Sequence, residues 1–221
     1  MTKQLSFSTI KLRQLRSIVD IEPIIEENAF DQWFKFPYTI LEEERTFLSQ
    51  LIDKHQVRIN RYSEEELKVK FIAPLLNKVD FTFGTTFTDW YERPISGKIN
   101  GVYLNGITDY LVAKGFDEPE KPYFFIQEFK PSRPNSDPEN QLLAELIVAI
   151  ENNQESSAIG AHIVGRLWTF VLLRKLDENT FRYVSSVGFN VLDIEDLKKL
   201  YIALQGVKAD IIQKVEAEAK N

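Results

Sequence analysis

The sequence has no cysteine and only two histidines, His55 and His162, among its 221 residues. The first absence excludes a disulfide framework and a thiolate metal centre, and the second excludes a histidine-rich zinc site. A metal bound by this chain must therefore be held by carboxylates and other oxygens. No stretch approaches the roughly eighteen uninterrupted apolar residues of a membrane-spanning helix. The opening segment, MTKQLSFSTIKLRQLRSIVD, carries charges where a secretion signal needs an apolar run. The expectation is a protein that neither spans a membrane nor leaves the cell by that route, with the cytoplasm as its location. An excess of positive charge is missing as well. The 27 Lys and Arg against 33 Asp and Glu leave a net charge of −6, which argues against broad, unspecific attraction to nucleic acid. What is present is a globular composition, 43% hydrophobic with 16 phenylalanines, too apolar for a disordered chain. The length suits one domain with an elaboration.

The first sixty residues read as a helical arm, 1–60, packed on a core of 61–221. In ENAFDQWFKFPYTILEEERTFLSQLIDKH the residues Phe47, Leu48, Leu51 and Ile52 share a helical face, and Pro23 and Pro37 punctuate the arm. Ser63 followed by Glu66 forms a capping box ahead of Leu67, Phe71, Ile72, Leu75 and Leu76, with a kink or an end expected at Pro74. After Val79 come three strand regions, DFTFGTTFTDWYERPI, GKINGVYLNGITDYLVAKG and KPYFFIQEFKPSRP. Asp137 and Pro138 then make an N-cap and first-turn pair for a helix through QLLAELIVAIENN. HIVGRLWTFVLLRK and FRYVSSVGFNV read as further strands, and the terminal segment from Ile194 as a helix with Gly206 as a possible break. The order predicts an α/β or α+β fold, a central mixed sheet flanked by helices.

The chemistry concentrates in Tyr123–Lys130. Side chains alternate across a strand, so Glu128 and Lys130 lie on one face. Alone, such a pair is an ordinary ion pair at a strand end. Asp109, however, sits within the apolar run GITDYLVAKG and shares its face with Ile107 and Leu111, where a carboxylate is costly unless paired, protonated or on a metal. Neighbouring strands would bring Asp109 and Glu128 together as oxygen ligands for Mg²⁺ or Mn²⁺. The Phe129 carbonyl lies between Glu128 and Lys130, and the Lys130 amine would border the bound water.

Asp109 followed by Glu128-Phe129-Lys130, after a helix that opens with glutamates and before one carrying Gln141, resembles the PD-(D/E)XK nuclease superfamily over residues 60–190. It looks most similar to the N-terminal nuclease domains of type I restriction enzyme motor subunits, whose apolar-Ile-x-Pro-Leu-Leu run is FIAPLL here, Phe71 to Leu76. The resemblance implies a restriction-endonuclease-like core, with Asp109 and Glu128 as metal ligands and Lys130 orienting or activating the attacking water. Among Glu64, Glu65 and Glu66, the helical spacing of Glu64 with Leu67, Phe71 and Leu75 favours Glu64 as the first-helix carboxylate, which the resemblance makes a further catalytic residue and metal ligand, while Glu66 serves the capping box. Gln141 matches a position where the family often carries a glutamine facing the site. The proline of the family's name is absent, since Thr108 precedes Asp109.

The implied function is metal-dependent hydrolysis of phosphodiester bonds, in DNA in preference to RNA, in restriction or host defence. A homodimer or a targeting partner protein is expected, because no DNA-reading motif is evident. Arg133 is placed to meet a phosphate. Arg166 is a further candidate to meet the substrate, and Trp168 beside it reads as core. His55 and His162 read as packing or surface residues, and Lys11, Arg13 and Arg16 as a solvated basic face. Two other readings stay open: a catalytically silent binding or assembly module, suggested by the net charge, and a structural ion cluster in an unrelated α/β domain.

Overall fold

A computed structural model describes residues 3–219. Among these residues nine strands share one mixed sheet: β1 (Lys3–Ser6), β2 (Asp20–Pro23), β3 (Phe87–Ile99), β4 (Val102–Lys114), β5 (Glu120–Lys130), β6 (Ser157–Val164), β7 (Leu167–Lys175), β8 (Thr180–Ser185) and β9 (Phe189–Asn190). Their order is β1-β4-β5-β6-β7-β8-β2, with β3 also paired to β4 and β9 to β7. The helices are α1 (Leu12–Leu15), α2 (Asp31–Phe34), α3 (Glu42–His55), α4 (Glu64–Leu67), α5 (Ala73–Val79), α6 (Pro138–Asn153) and α7 (Ile194–Glu218). None is long and apolar enough to cross a membrane.

Local chemistry explains the centre of the sheet. Asn100 and Gly101, both at positive φ, turn β3 directly into β4, as an Asn-Gly hairpin does. β4 pairs antiparallel with β5, and β5 then runs parallel to β6, a connection that needs a crossover. Helix α6 supplies it. The Asp137 side chain accepts from the Glu139 N–H at its start, and Pro138 occupies its first turn. Every residue from Gln141 to Ile150 is buried, so this helix is enclosed on all sides. Beneath it lie Leu111, Ala113, Ile126, Val171 and Leu173 of the sheet, and over it fold Phe7 and the β3 residues Ile95 and Ile99. Each buried leucine or isoleucine of α6 contributes roughly 1.5–3 kcal/mol. Helices α3, α5 and α7 cover the opposite face, packing on Tyr110, Val112, Phe125, Phe129 and Phe170.

Three features differ from the sequence reading. Residues 1–60 are not helical throughout: β1 pairs parallel with β4, and β2 with β8, so the arm adds strands to the sheet it was expected only to cover. The helix does not end at Pro74. A π-helical turn over Lys68–Ile72 joins α4 to α5, resetting the hydrogen-bond ladder just before the residue that lacks an N–H. Gly206 does not break α7, which runs through it. A Cβ there would lie 2.8 Å from the Trp33 carbonyl oxygen and 2.9 Å from the Trp33 Cα, so this glycine lets α7 approach the α2 backbone closely.

In an isolated helix Gly→Ala gains about 1 kcal/mol. Gly206→Ala is expected to reverse that sign, because backbone must move, and to lower the melting temperature by several degrees in a thermal denaturation scan. A raised melting temperature would show that α2 and α7 are not in close contact.

Candidate active site

The polar cluster forms where β4 and β5 pass beneath the first turns of α6. In β5 the side chains of Phe125, Gln127 and Phe129 turn away from α6, while Ile126, Glu128 and Lys130 turn toward it. Tyr110 of β4 pairs with Gln127, which sets Asp109 opposite Glu128 one step further along the antiparallel ladder. The Asp109 carboxylate accepts from the Phe129 N–H at 2.6 Å. Glu128, with no exposed surface, contacts the Lys130 ammonium, and its other oxygen accepts from Gln141 Nε2 at 2.8 Å. Lys130 Nζ also donates to the Phe129 carbonyl at 3.0 Å and lies 3.5 Å from the Glu64 carboxylate.

Each sequence candidate therefore has a definite place. Asp109, Glu128, Lys130 and Gln141 are brought together. Glu64 reaches the group through Lys130, whereas Glu65 pairs with Lys68 at 2.7 Å and Glu66 closes the capping box with Ser63. Among the described residues, no three Asp, Glu, His or Cys side chains stand together as a metal-binding group; the arrangement is a carboxylate pair with a main-chain carbonyl beside it. Gln141, expected to face the site, is buried and bonded to Glu128. Arg133 is exposed just beyond the end of β5. Trp168 is wholly buried, and His55 is a core residue bonded through Nδ1 to the Tyr62 hydroxyl at 2.8 Å. His162 pairs with Glu128 across the β5–β6 ladder and lies 3.6 Å from Glu139.

One member was missed. Glu145 has no exposed surface, and its Oε1 accepts from Gln141 Nε2 at 3.1 Å. The Gln141 side chain thus links two buried acids, Glu128 and Glu145. The signal was available, since Gln141 and Glu145 are four apart on one helix face and Glu145 interrupts an apolar run.

The electrostatics follow from packing several acids around one ammonium. Burial, then the charge of Asp109, raise the Glu128 carboxyl to about 8 despite Lys130 beside it. Burial raises Asp109 too, although the Phe129 N–H opposes it. Glu145 is pushed well above the carboxylate range by burial and then by Glu128. For Lys130 burial acts downward, and the charges of Glu128, Asp109 and Glu64 more than offset it, so the amine is held above its ordinary value. The cluster is short of positive charge. It also contains buried polar atoms without a protein partner, Gln141 Oε1 and Glu145 Oε2. Hard oxygen donors, a charge deficit and unsatisfied polar atoms fit Mg²⁺ or Mn²⁺, ions that bind through one or two carboxylates and keep several waters.

No family model matches the chain, and no curated protein matches it. Among solved structures it is similar to an alkaline exonuclease (LHK-Exo) from Laribacter hongkongensis, at 14% identity over 95% of this chain and 99% of that one, with a TM-score of 0.26.

The raised Glu145 carboxyl has a consequence for stability. The unfolded chain ionises it near 4.5, while the folded chain keeps its proton well above that value. Over the interval between, the unfolded state binds fewer protons, so this group makes stability fall as pH rises. Glu145→Gln keeps the Gln141 partner and removes the titration. It is expected to raise the melting temperature of the metal-free protein by about 2–6 °C at pH 8 and by much less at pH 5. Equal effects at both pH values would show that Glu145 does not titrate in this interval.

Proposed function

We propose that the protein is a metal-dependent nuclease that hydrolyses phosphodiester bonds in DNA. One observation carries the reading: Asp109, Glu128, Lys130 and Gln141, from two strands and a helix, meet in a cluster whose charge and oxygen donors suit a divalent cation and a phosphate. It is the set of residues that the sequence resemblance to PD-(D/E)XK nucleases picked out, and the mixed sheet flanked by helices is the architecture that resemblance implies.

Asp109, Glu128 and the Phe129 carbonyl would hold Mg²⁺ or Mn²⁺, which when bound supplies charge to the phosphoryl oxygens and acidifies water. The remaining work falls to the chain's own groups. Lys130, held above its ordinary value, stays an ammonium at neutral pH. Its part is to orient water by donating a hydrogen bond and to offset the negative charge that develops on the phosphoryl group, without accepting a proton. Glu64, 3.5 Å from Lys130, holds that ammonium at the mouth of the cluster. Gln141 fixes the Glu128 carboxylate from behind, and Glu145 fixes Gln141. A role in restriction or host defence remains part of the proposal through the same resemblance.

The test is cleavage of single- and double-stranded DNA by the purified protein with Mg²⁺ or Mn²⁺. Glu128→Ala and Lys130→Ala are each expected to lower the rate by about 10²-fold or more, with Lys130→Ala retaining metal binding in a calorimetric titration. Cleavage that survived both substitutions would overturn these roles, and a wild-type protein that binds no divalent cation would return the silent binding module to first place.

A further inference from the structure

Three grooves adjoin one another at the end of the sheet where β5 and β6 finish. The first is lined by Lys54, Arg58, Tyr62 and Lys70 among others, the second by Asn60, Arg61, Tyr62, Ser132 and Arg133, and the third by Asn60, Ser132, Arg166 and Leu167. Tyr62 is common to the first two, and Asn60 and Ser132 to the last two, so neighbouring grooves share walls and line up as one strip, a segmented channel. No Asp or Glu lines any of them. In a chain of net charge −6, that is a marked segregation of charge. The six cations are all exposed, and among the described residues only Lys70 takes part in an ion pair, with Glu66. Arg16, Arg45, Arg174 and Arg182, elsewhere on the surface, are each paired with an acid. Of the arginines without an ion pair among the described residues, Arg13 and Arg93 stand apart and the other four gather along this strip, free to meet an external anion.

The channel starts at the candidate site. Pro131, Ser132 and Arg133 directly follow Lys130, and Val164, beside Arg166, pairs with Lys130 across the ladder. The Gly165 N–H donates to the Lys130 carbonyl at 2.9 Å, which holds the β6–β7 turn and its Arg166 against the end of β5. On the other side Asn60, Arg61 and Tyr62 lead into Glu64, which faces Lys130. From there the channel runs over the end of α3, where Lys54 and Arg58 stand.

We infer that this channel, from Arg166 and Arg133 through Arg61 to Arg58 and Lys54, is the track that holds the phosphodiester backbone of the DNA strand leading away from the cleavage site. The inference rests on the nuclease reading for its ligand. The planar guanidinium fork matches phosphate oxygens in a way an ammonium does not, and four of the six cations are arginines. The track lies on one side of the carboxylate pair, so the substrate is held asymmetrically. Because three separate segments of the chain bring their cations to one strip, an acidic chain can bind a polyanion there while repelling it elsewhere.

The test is binding of a fluorescently labelled single-stranded DNA and of its duplex, followed by anisotropy in EDTA, where no cleavage takes place, across a range of salt. The protein is compared with Arg58→Gln/Arg61→Gln and with Arg13→Gln. Arg13 is another arginine without an ion pair among the described residues, and it lines none of the three grooves. The double variant removes only exposed side chains, and its melting temperature verifies that it is folded. It is expected to bind at least tenfold more weakly, with the slope of log affinity against log salt reduced by about 1.4 for the single strand or about 1.8 for the duplex, while Arg13→Gln binds as the wild type does. Equal binding by the double variant, equal weakening by Arg13→Gln, or no binding by the wild type would each overturn the track. Binding through the track by a protein that cleaves nothing with Mg²⁺ would uphold it and refute the nuclease reading.

Discussion

The burial of Glu128 governs the rest of the candidate site. A carboxylate with no exposed surface cannot be left alone in a protein interior, and each neighbouring residue answers that demand in part. Lys130 supplies a charge, Gln141 a hydrogen-bond donor, and the β4–β5 register a second acid across the ladder that aggravates the problem. The result is a group whose proton is held to about 8, in surroundings that favour any additional cation. A purely structural ion pair would gain nothing from Asp109 or Glu145 at the same spot. Their presence is the physical reason for regarding the cluster as a place where something binds.

The scaffold holds this geometry by enclosing α6. Sheet below, β3 and the Phe7 turn above, and apolar side chains all round leave the helix little freedom to slide. Gln141 and Glu145 thereby inherit fixed positions from the most buried element of the molecule. The exposed half of the proposed site comes from short segments at the ends of regular elements, with Arg61 closing a 3-10 turn after α3 and Arg133 just past β5. Rigid acids and adaptable arginines are thus drawn from different parts of the fold, as positioning and recognition respectively require.

Much of this was legible in the sequence wherever the governing interaction is local. Two-residue alternation put Glu128 and Lys130 on one face, the Asp137-Pro138 pair marked the start of α6, and helical spacing selected Glu64 over its neighbours. What could not be read depends on contacts between distant segments. β1 and β2 are four-residue strands whose identity comes from β4 and β8, and their own residues carry too little pattern to announce it. Gly206 looks like a helix breaker until Trp33 is placed against it. Glu145 was hidden by its apolar neighbours, and the arginine channel is assembled from segments around residues 58, 133 and 166, so no window along the chain contains it.

The pairing of β2 with β8 also bears on the order in which the structure can be made. Asp20 lies beside Thr180 and Tyr183 beside Pro23, with Arg182 bonded to Asp20 at 2.9 Å. The early segment of the chain therefore has no strand partner until residues near 180 are in place. Contacts of such sequence separation are slow to form, because the loop must close before they return any stabilisation. Until then the β8 edge stands open to other chains. Once β2 is docked, the outermost strand presents Asp20, Glu22 and a proline that cannot donate a hydrogen bond, which makes a poor template for further pairing. The same four residues that finish this edge of the sheet also end its capacity to grow there.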